Sequence, residues 1–306
     1  MDKLQAMAVY SAVVEEQGFS AASRRLGIPL PTVSRKVAEL ETYLGTPLLI
    51  RTTRQVSVTD AGQRYYEDVQ SILETVRDVE QRASGAFQQV KGLLTITAPT
   101  LFGRLFILPI VTDFMRLHER IDIRLNFTNH VLELPEERID LGFRIGELPV
   151  HGVSSRPIGT VRRVTCGSSD YLQQRGTPER PKDIASHDCI LFTRGGGKPV
   201  WRFRTPTGQT VTVPVSSRLM INTVEDALDA VMLNHGLSQF FAYQVVSLVD
   251  SNRAAIVLAD YEESAAPVSL VLPGKERMPQ KVQAFCEFAV PVLQKRLEDI
   301  GLSIAR

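Results

Sequence analysis

Six basic side chains crowd one short stretch: Arg24, Arg25, Arg35, Lys36, Arg51 and Arg54, opposed there by Glu39 and Glu41 alone. Residues 18–54 therefore carry +4, although the whole 306-residue chain carries only +1. Cations at that density neutralise phosphates and release the counterions around a nucleic-acid backbone. A merely solvated basic face is the alternative, and the residues between the charges decide. No other stretch offers comparable chemistry. The five histidines (118, 130, 151, 187 and 235) form neither HxxxH nor HExxH, so no metal ligand set is expected. Cys166, Cys189 and Cys286 are too few and too scattered for a disulfide framework or a CxxC site. They read as small core residues or as a redox pair, Cys166 with Cys189. The glycines at 195–197 are not GxGxxG, and no P-loop or nucleophile elbow occurs, so neither an enzyme nor a cofactor is expected.

The elements that must position the basic stretch are legible in its apolar spacing. Leu4, Met7, Ala8, Ser11 and Ala12 give a helical period that ends at Gly18. Ser20 is placed to cap a short helix from Ala21 to Leu26, with Phe19 as a staple and Gly27 as the stop. A third helix restarts at Pro31 and ends at Gly45; Val33, Val37, Leu40 and Leu44 face its core side. Thr32, Ser34, Arg35 and Lys36 then fall toward solvent. Two short helices, a tight turn and a third helix with a polar, basic outer face describe a helix-turn-helix. The run PLLIRTTRQVSVT (47–59) reads as a hairpin with Arg51, Thr52, Thr53 and Arg54 at its tip, which makes the module a winged one.

The string FSAASRRLGIPLPTVSRKVAELETYLGTPLLIRTTRQVSVTDAG resembles the DNA-binding domain of LysR-type transcriptional regulators. Matching positions include Ser20, Ala21, Ala22, Leu26, Pro31, Val33, Ser34, Arg35, Leu40, Glu41, Leu44, Gly45, Leu48, Arg51, Arg54, Thr59 and Gly62. The resemblance implies that Ser20, Leu30, Pro31, Thr32, Ser34, Arg35, Lys36, Arg51, Thr52, Thr53 and Arg54 meet double-stranded DNA. Cations would sit on phosphates, and Leu30, Thr32 and Ser34 near base edges. Two departures stand out. Pro29 and Leu30 occupy positions where the family usually has Ser-Gln, which removes a cap oxygen worth about 1 kcal/mol and exchanges a hydrogen-bonding side chain for one suited to a thymine methyl. Leu49 replaces the usual phenylalanine.

Downstream, Thr59 and Asp60 start a long helix in which Tyr65, Val69, Ile72, Val76, Val79 and Ala83 recur at four- and three-residue steps. Such a seam serves dimerisation or packs on its own domain; behind a DNA-binding head dimerisation is the better reading, and the resemblance implies the same. A two-fold dimer reads dyad-symmetric half-sites. Residues 84–92 break the period as a hinge.

From residue 93 strands and helices alternate: LLTITA (93–98), a helix over 101–118, IDIRLNF (121–127), a helical stretch and IDLGFRIG (139–146). VRRVTCG (161–167), CILF, WRFR, TVTVPV and VSLVLP (268–273) read as further strands. SDYLQQRG, a segment capped by Thr223 that runs to His235, and Pro279 to Ile300 with a kink at Pro291 read as helices. This order argues a mostly parallel α/β sheet. The expected architecture is thus a winged helix-turn-helix over 1–58, a linker helix and hinge over 59–91, and a regulatory domain over 92–306. The resemblance implies that this last part has two periplasmic-binding-protein-like α/β subdomains, about 92–160 with 266–306, and about 161–265. Ligands of such folds bind between the lobes. The family pattern then points to Thr100, Leu101, Phe102, Thr128, Arg144, Phe203 and Thr223 as effector-binding. Helix capping competes for Thr100, an ion pair for Arg144 and core packing for Phe203.

The resulting expectation is a regulator whose operator binding and bending respond to a small-molecule effector, an organic anion being the first class to consider. Homodimers and homotetramers are expected, with RNA polymerase a further candidate partner. With no long apolar run, and with Glu15 and Glu16 interrupting any secretory core, the location reads as cytoplasmic. An enzyme with a DNA-targeting head, a cysteine-based redox regulator and a sequence-blind architectural DNA binder are the competing readings.

Overall fold

A computed structural model describes residues 1–51, 56–83, 90–130, 139–147, 153–192, 199–274 and 278–303. The chain divides into two compact units, Met1–Gln89 and Val90–Arg306.

In the first unit the expected three helices are α1 (Lys3–Glu15), α2 (Phe19–Leu26) and α3 (Leu30–Leu44). Ala6, Val9, Tyr10 and Val13 of α1 meet Ala22 of α2 and Val33, Val37 and Leu40 of α3 in one buried cluster. Gly27 and Gly45 end α2 and α3 in the left-handed region, at φ 66° and 67°, where a Cβ would be strained. Both starts differ from expectation. Gly18 is the N-cap of α2, so Ser20 lies inside the first turn and caps nothing. Pro29 precedes α3, which begins at Leu30 with no side-chain cap bond; Pro31 falls within the first turn, where its missing N–H costs nothing. Strands β1 (Leu49–Arg51) and β2 (Val56–Val58) pair antiparallel, Leu49 opposite Val58 and Arg51 opposite Val56. Glu41 Oε1 accepts the backbone N–H groups of Leu48 and Leu49 at 2.8 and 3.0 Å, which ties the entry of the hairpin to α3.

Thr59 Oγ1 accepts the Gly62 N–H at 2.9 Å and so caps α4 (Asp60–Ala83). The seam on this helix splits. Val69 is fully buried, and Tyr65 packs against the helix-turn-helix core, 5.7 Å from the Tyr10 ring. Ile72 and Val79 are 42% and 50% exposed. The first two positions thus serve the helix's own domain, and the seam that faces outward starts at Ile72.

Among the described residues the second unit holds a five-stranded sheet, a three-stranded sheet and two strand pairs. The first contains β3 (Gly92–Ala98), β4 (Ile121–Phe127), β5 (Leu141–Ile145), β6 (Val153–Val161) and β14 (Ala266–Pro273), in the order β4-β3-β5-β14-β6. β3 runs parallel to β4 and β5, whereas β14 is antiparallel to both β5 and β6. The mostly parallel expectation therefore holds for three strands and fails for the two that join the sheets. β6 itself escaped sequence reading, because its residues 154–157 are all exposed and show no alternation. VRRVTCG is not one strand: β6 ends at Val161, and β7 (Arg163–Ser168) starts in the second sheet.

In that second sheet β7 lies between β12 (Ser238–Phe241) and β13 (Ala254–Val257), antiparallel to both. β8 (Ile190–Phe192) pairs parallel with β11 (Leu219–Ile221), and β9 (Val200–Arg204) with β10 (Thr210–Pro214) forms a hairpin. The helices are α5 (Thr100–Phe102), which passes through a π turn at Gly103–Ile107 into α6 (Leu108–Leu117), then α7 (Ser169–Arg175), α8 (Val224–Met232), α9 (Ala242–Asp250) and α10 (Gln280–Ser303). α8 stops short of His235 because Asn234 turns left-handed at φ 64°. α10 continues through Pro291. Among the described residues no helix is long and apolar enough to cross a membrane.

Candidate DNA interface and effector cleft

On the first unit the N-terminal turn of α3 is presented outward. Leu30 is 42% exposed, Pro31 and Arg35 are exposed, and Thr32, Ser34 and Lys36 are half-buried. Ser20, one helix earlier, is exposed as well. The basic residues are not equivalent. Arg25 is spent inside the domain: its Nη1 lies 2.5 Å from Glu15 and 3.2 Å from Glu16. Lys36 Nζ donates to Gln5 Oε1 on α1 at 2.6 Å, so its ammonium is held rather than swinging. Arg35 has only a loose 3.8 Å approach to Glu39, between two exposed side chains, which leaves it available to a phosphate. Arg51 ends β1, while Thr52, Thr53 and Arg54 lie outside the described residues.

Sequence reasoning missed what fixes the head on the linker helix. Glu15 accepts hydrogen bonds from Arg25, from Tyr66 at 3.3 Å and from Gln70 at 2.5 Å, while Ser11 donates to it at 3.1 Å. Burial pushes the Glu15 carboxyl up, but the bonds from Arg25, Gln70 and Ser11 outweigh it and hold the group below the usual carboxylate range. One carboxylate thereby binds α1, α2 and α4 together. The partners on α2 and α4 lie 10 to 55 residues away, which no local spacing reveals.

On the second unit, Thr100, Thr128 and Arg144 gather at the carboxyl ends of the neighbouring strands β3, β4 and β5. This is where open α/β sheets bind ligands. Thr128 N–H donates to Ala98 O at 2.9 Å, and the Thr100 N–H is taken by Asn129 Oδ1 at 3.2 Å. That N–H is therefore not free to hold a carboxylate, and Asn129 joins the set. Arg144 is half-buried; Nη1 donates to Phe143 O at 2.8 Å and Nη2 to Thr97 Oγ1 at 3.2 Å, with no carboxylate beside it among the described residues. Among the described residues no ion pair explains it. Burial lowers its basicity, but a guanidinium stays charged at neutral pH.

Four other candidates are placed differently. Leu101 is buried at 6%, and Phe102 is fully buried among Phe106, Phe143 and Tyr243, with ring centroids 4.7, 6.4 and 5.7 Å away. Phe203, 2% exposed, packs with Trp201 and Tyr171 in the core of the second lobe. Their rings build walls. Thr223 caps α8 on the second lobe, its Oγ1 3.4 Å from the Asp226 N–H.

All three cysteines are free thiols. Burial pushes the Cys166 and Cys189 thiols up to about 12 and Cys286 up to about 11. The thiolate that would react with an oxidant is thereby suppressed.

Comparison with known proteins agrees with both halves. The family described as "LysR substrate binding domain" matches residues 87–294, and "Bacterial regulatory helix-turn-helix protein, lysR family" matches residues 4–63. The probable HTH-type transcriptional regulator LtrA of Klebsiella pneumoniae is 30% identical over 299 residues, spanning 96% of both chains. Among solved structures, CrgA of Neisseria meningitidis, a LysR-type transcriptional regulator, shares the fold at 24% identity, with a TM-score of 0.58 over 97% of this chain and 98% of that one. Full-length AphB of Vibrio cholerae does so at 22% identity, with a TM-score of 0.57 over 94% and 98%. The chain belongs to the LysR family of DNA-binding transcriptional regulators, with an N-terminal helix-turn-helix domain and a C-terminal substrate-binding regulatory domain.

Proposed function

We propose that this regulator binds a dyad-symmetric operator as a homodimer, or a tetramer built from two dimers, and that a small organic anion in the cleft changes how it holds and bends the DNA. Leu30, Thr32 and Ser34 approach base edges, Arg35 and the β1–β2 hairpin sit on phosphates, and the outward seam of α4 joins two copies. On this reading the second unit binds its ligand and catalyses nothing, and the protein works beside the nucleoid in the cytoplasm, with RNA polymerase as a further partner.

The observation that carries the effector half is Arg144, a half-buried cation at the strand ends whose only partners among the described residues are a carbonyl and a hydroxyl. Removing a charge from water without a counter-ion is costly, and an anionic ligand offsets that cost. Binding an anion in one arrangement of the lobes more tightly than in another shifts the equilibrium between them.

The test is a DNase footprint on the DNA upstream of the protein's own gene, repeated with succinate, benzoate and salicylate and with their amides. A protected two-fold-symmetric region is expected, with hypersensitive cleavages that a carboxylate moves and its amide does not. Arg144→Gln should protect the same region and lose the response. Protection without boundaries that fades evenly with salt would instead mean phosphate-only binding.

A further inference from the structure

A second cavity, of about 390 Å³, lies between β6, the last turns of α10 and the start of α9. Its walls are mainly apolar: Ile158, Val161, Ala242, Leu297 and Ile300 line it, with Thr160, Arg162, Gln294 and Glu298 as its polar groups. It is built on the crossover between the sheets. Val161 is the last residue of β6 in the first sheet and Arg163 the first of β7 in the second, so Arg162 alone joins them. The start of α9 is fastened to the same point, because the Ala242 N–H donates to Arg162 O at 2.9 Å.

The charge of the lining selects the occupant. Nε and Nη2 of Arg162 fork onto the Glu262 carboxylate at 2.7 and 2.8 Å, so that cation is already neutralised. Its remaining nitrogen, Nη1, has no partner among the described residues and still offers hydrogen-bond donors. Glu298 is the acidic side chain of the lining, with no ion pair among the described residues. An anion is therefore disfavoured there, whereas a neutral acceptor can use the donors that Arg162 has left. The volume falls in the range that small-molecule sites occupy.

We propose that this cavity is a second ligand site, for an uncharged, largely apolar compound carrying one hydrogen-bond acceptor, such as an ester, ketone or lactone. The compound bridges Ile158–Val161 and α10 of the first lobe to Arg162 and Ala242 of the second. Its affinity therefore depends on the arrangement of the lobes, and by linkage its binding biases that arrangement. This site is separate from the Arg144 cleft and opposite in charge preference.

Gly301 supplies the test, because a Cβ built there meets nothing within 4 Å and the residue lines the cavity. The full-length protein is titrated with ethyl benzoate, acetophenone and γ-nonalactone, and with benzoate as the charged counterpart, by calorimetry and saturation-transfer NMR. Saturable binding of at least one neutral probe is expected, stronger than that of benzoate. Gly301→Trp, which fills the slot, should weaken it at least about tenfold, equal to about 1.4 kcal/mol. Gly301→Ala, too small to fill it, and Arg144→Gln should leave it unchanged. The site is overturned if no neutral probe saturates, if Gly301→Trp binds as well as the parent, if Gly301→Ala loses binding equally, or if Arg144→Gln abolishes it. Benzoate binding as tightly as its ester overturns the proposed ligand class.

Discussion

Arg144 and Cys166 show how position in the fold decides what a residue does. Both stand on strands of the second unit, on β5 and β7, and both lose water on folding. The guanidinium keeps its charge, so its burial leaves a demand that an anion can meet. The thiol answers burial by staying protonated, pushed up to about 12. At pH 8 almost no Cys166 thiolate exists in the native protein, and the same holds for Cys189. Native protein treated with iodoacetamide at that pH should label these two at least about a hundredfold more slowly than a free thiol, and guanidinium should restore the ordinary rate. Mass spectrometry of the peptides reads the outcome, and rapid native labelling of Cys166 would return the redox reading to contention. The sequence could raise the question of these thiols but not answer it, since their burial comes from long-range pairing, Cys166 opposite Ser238 and Cys189 opposite Leu237.

Legibility changes with scale because local spacing and long-range pairing are different information. The α3 core face was readable, as Val33, Val37 and Leu40 follow the helical period and are buried together. β6 was not readable, and neither were the partners of Arg144, because Thr97 becomes its neighbour only through the pairing of β3 with β5. Thr100 was correctly placed where a helix starts, yet Asn129, which takes its N–H, comes from the far end of β4. The junction of hairpin and linker helix illustrates a constraint of the second kind. A Cβ on Gly62 would stand 2.1 Å from the backbone oxygen of Leu48 and 2.9 Å from the Tyr10 hydroxyl, which itself donates to Gly62 O. Neither the strand entry nor a buried tyrosine can yield cheaply. Gly62→Ala should therefore destabilise the head by roughly 2–3 kcal/mol, despite the better helix propensity of alanine. Thermal melts of the full-length protein followed by circular dichroism check this, and a variant melting at or above the parent temperature would contradict the tight approach.

At the scale of the whole molecule the question is what the exposed part of α4 covers. Tyr65 packs against the head core and Val69 is fully buried, so in the proposed dimer the contact would fall to the outward positions, Ile72 and Val79 among them. Burying two such side chains in a helix pair contributes roughly 3–6 kcal/mol, and a charge at either position opposes it. The double variant Ile72→Glu, Val79→Glu leaves the core of the head untouched, so each head should fold as before and Arg35 should still meet phosphates. What fails is simultaneous engagement of two half-sites, since a monomer gains none of the effective concentration that a dimer supplies. Sedimentation should show at least one step down in oligomeric state at micromolar concentration. Operator affinity should fall at least about a hundredfold while weak binding to unrelated DNA persists. A variant that remains dimeric and protects the full operator would place the dimer contact elsewhere on the chain, leaving Ile72 and Val79 as exposed apolar residues without that role.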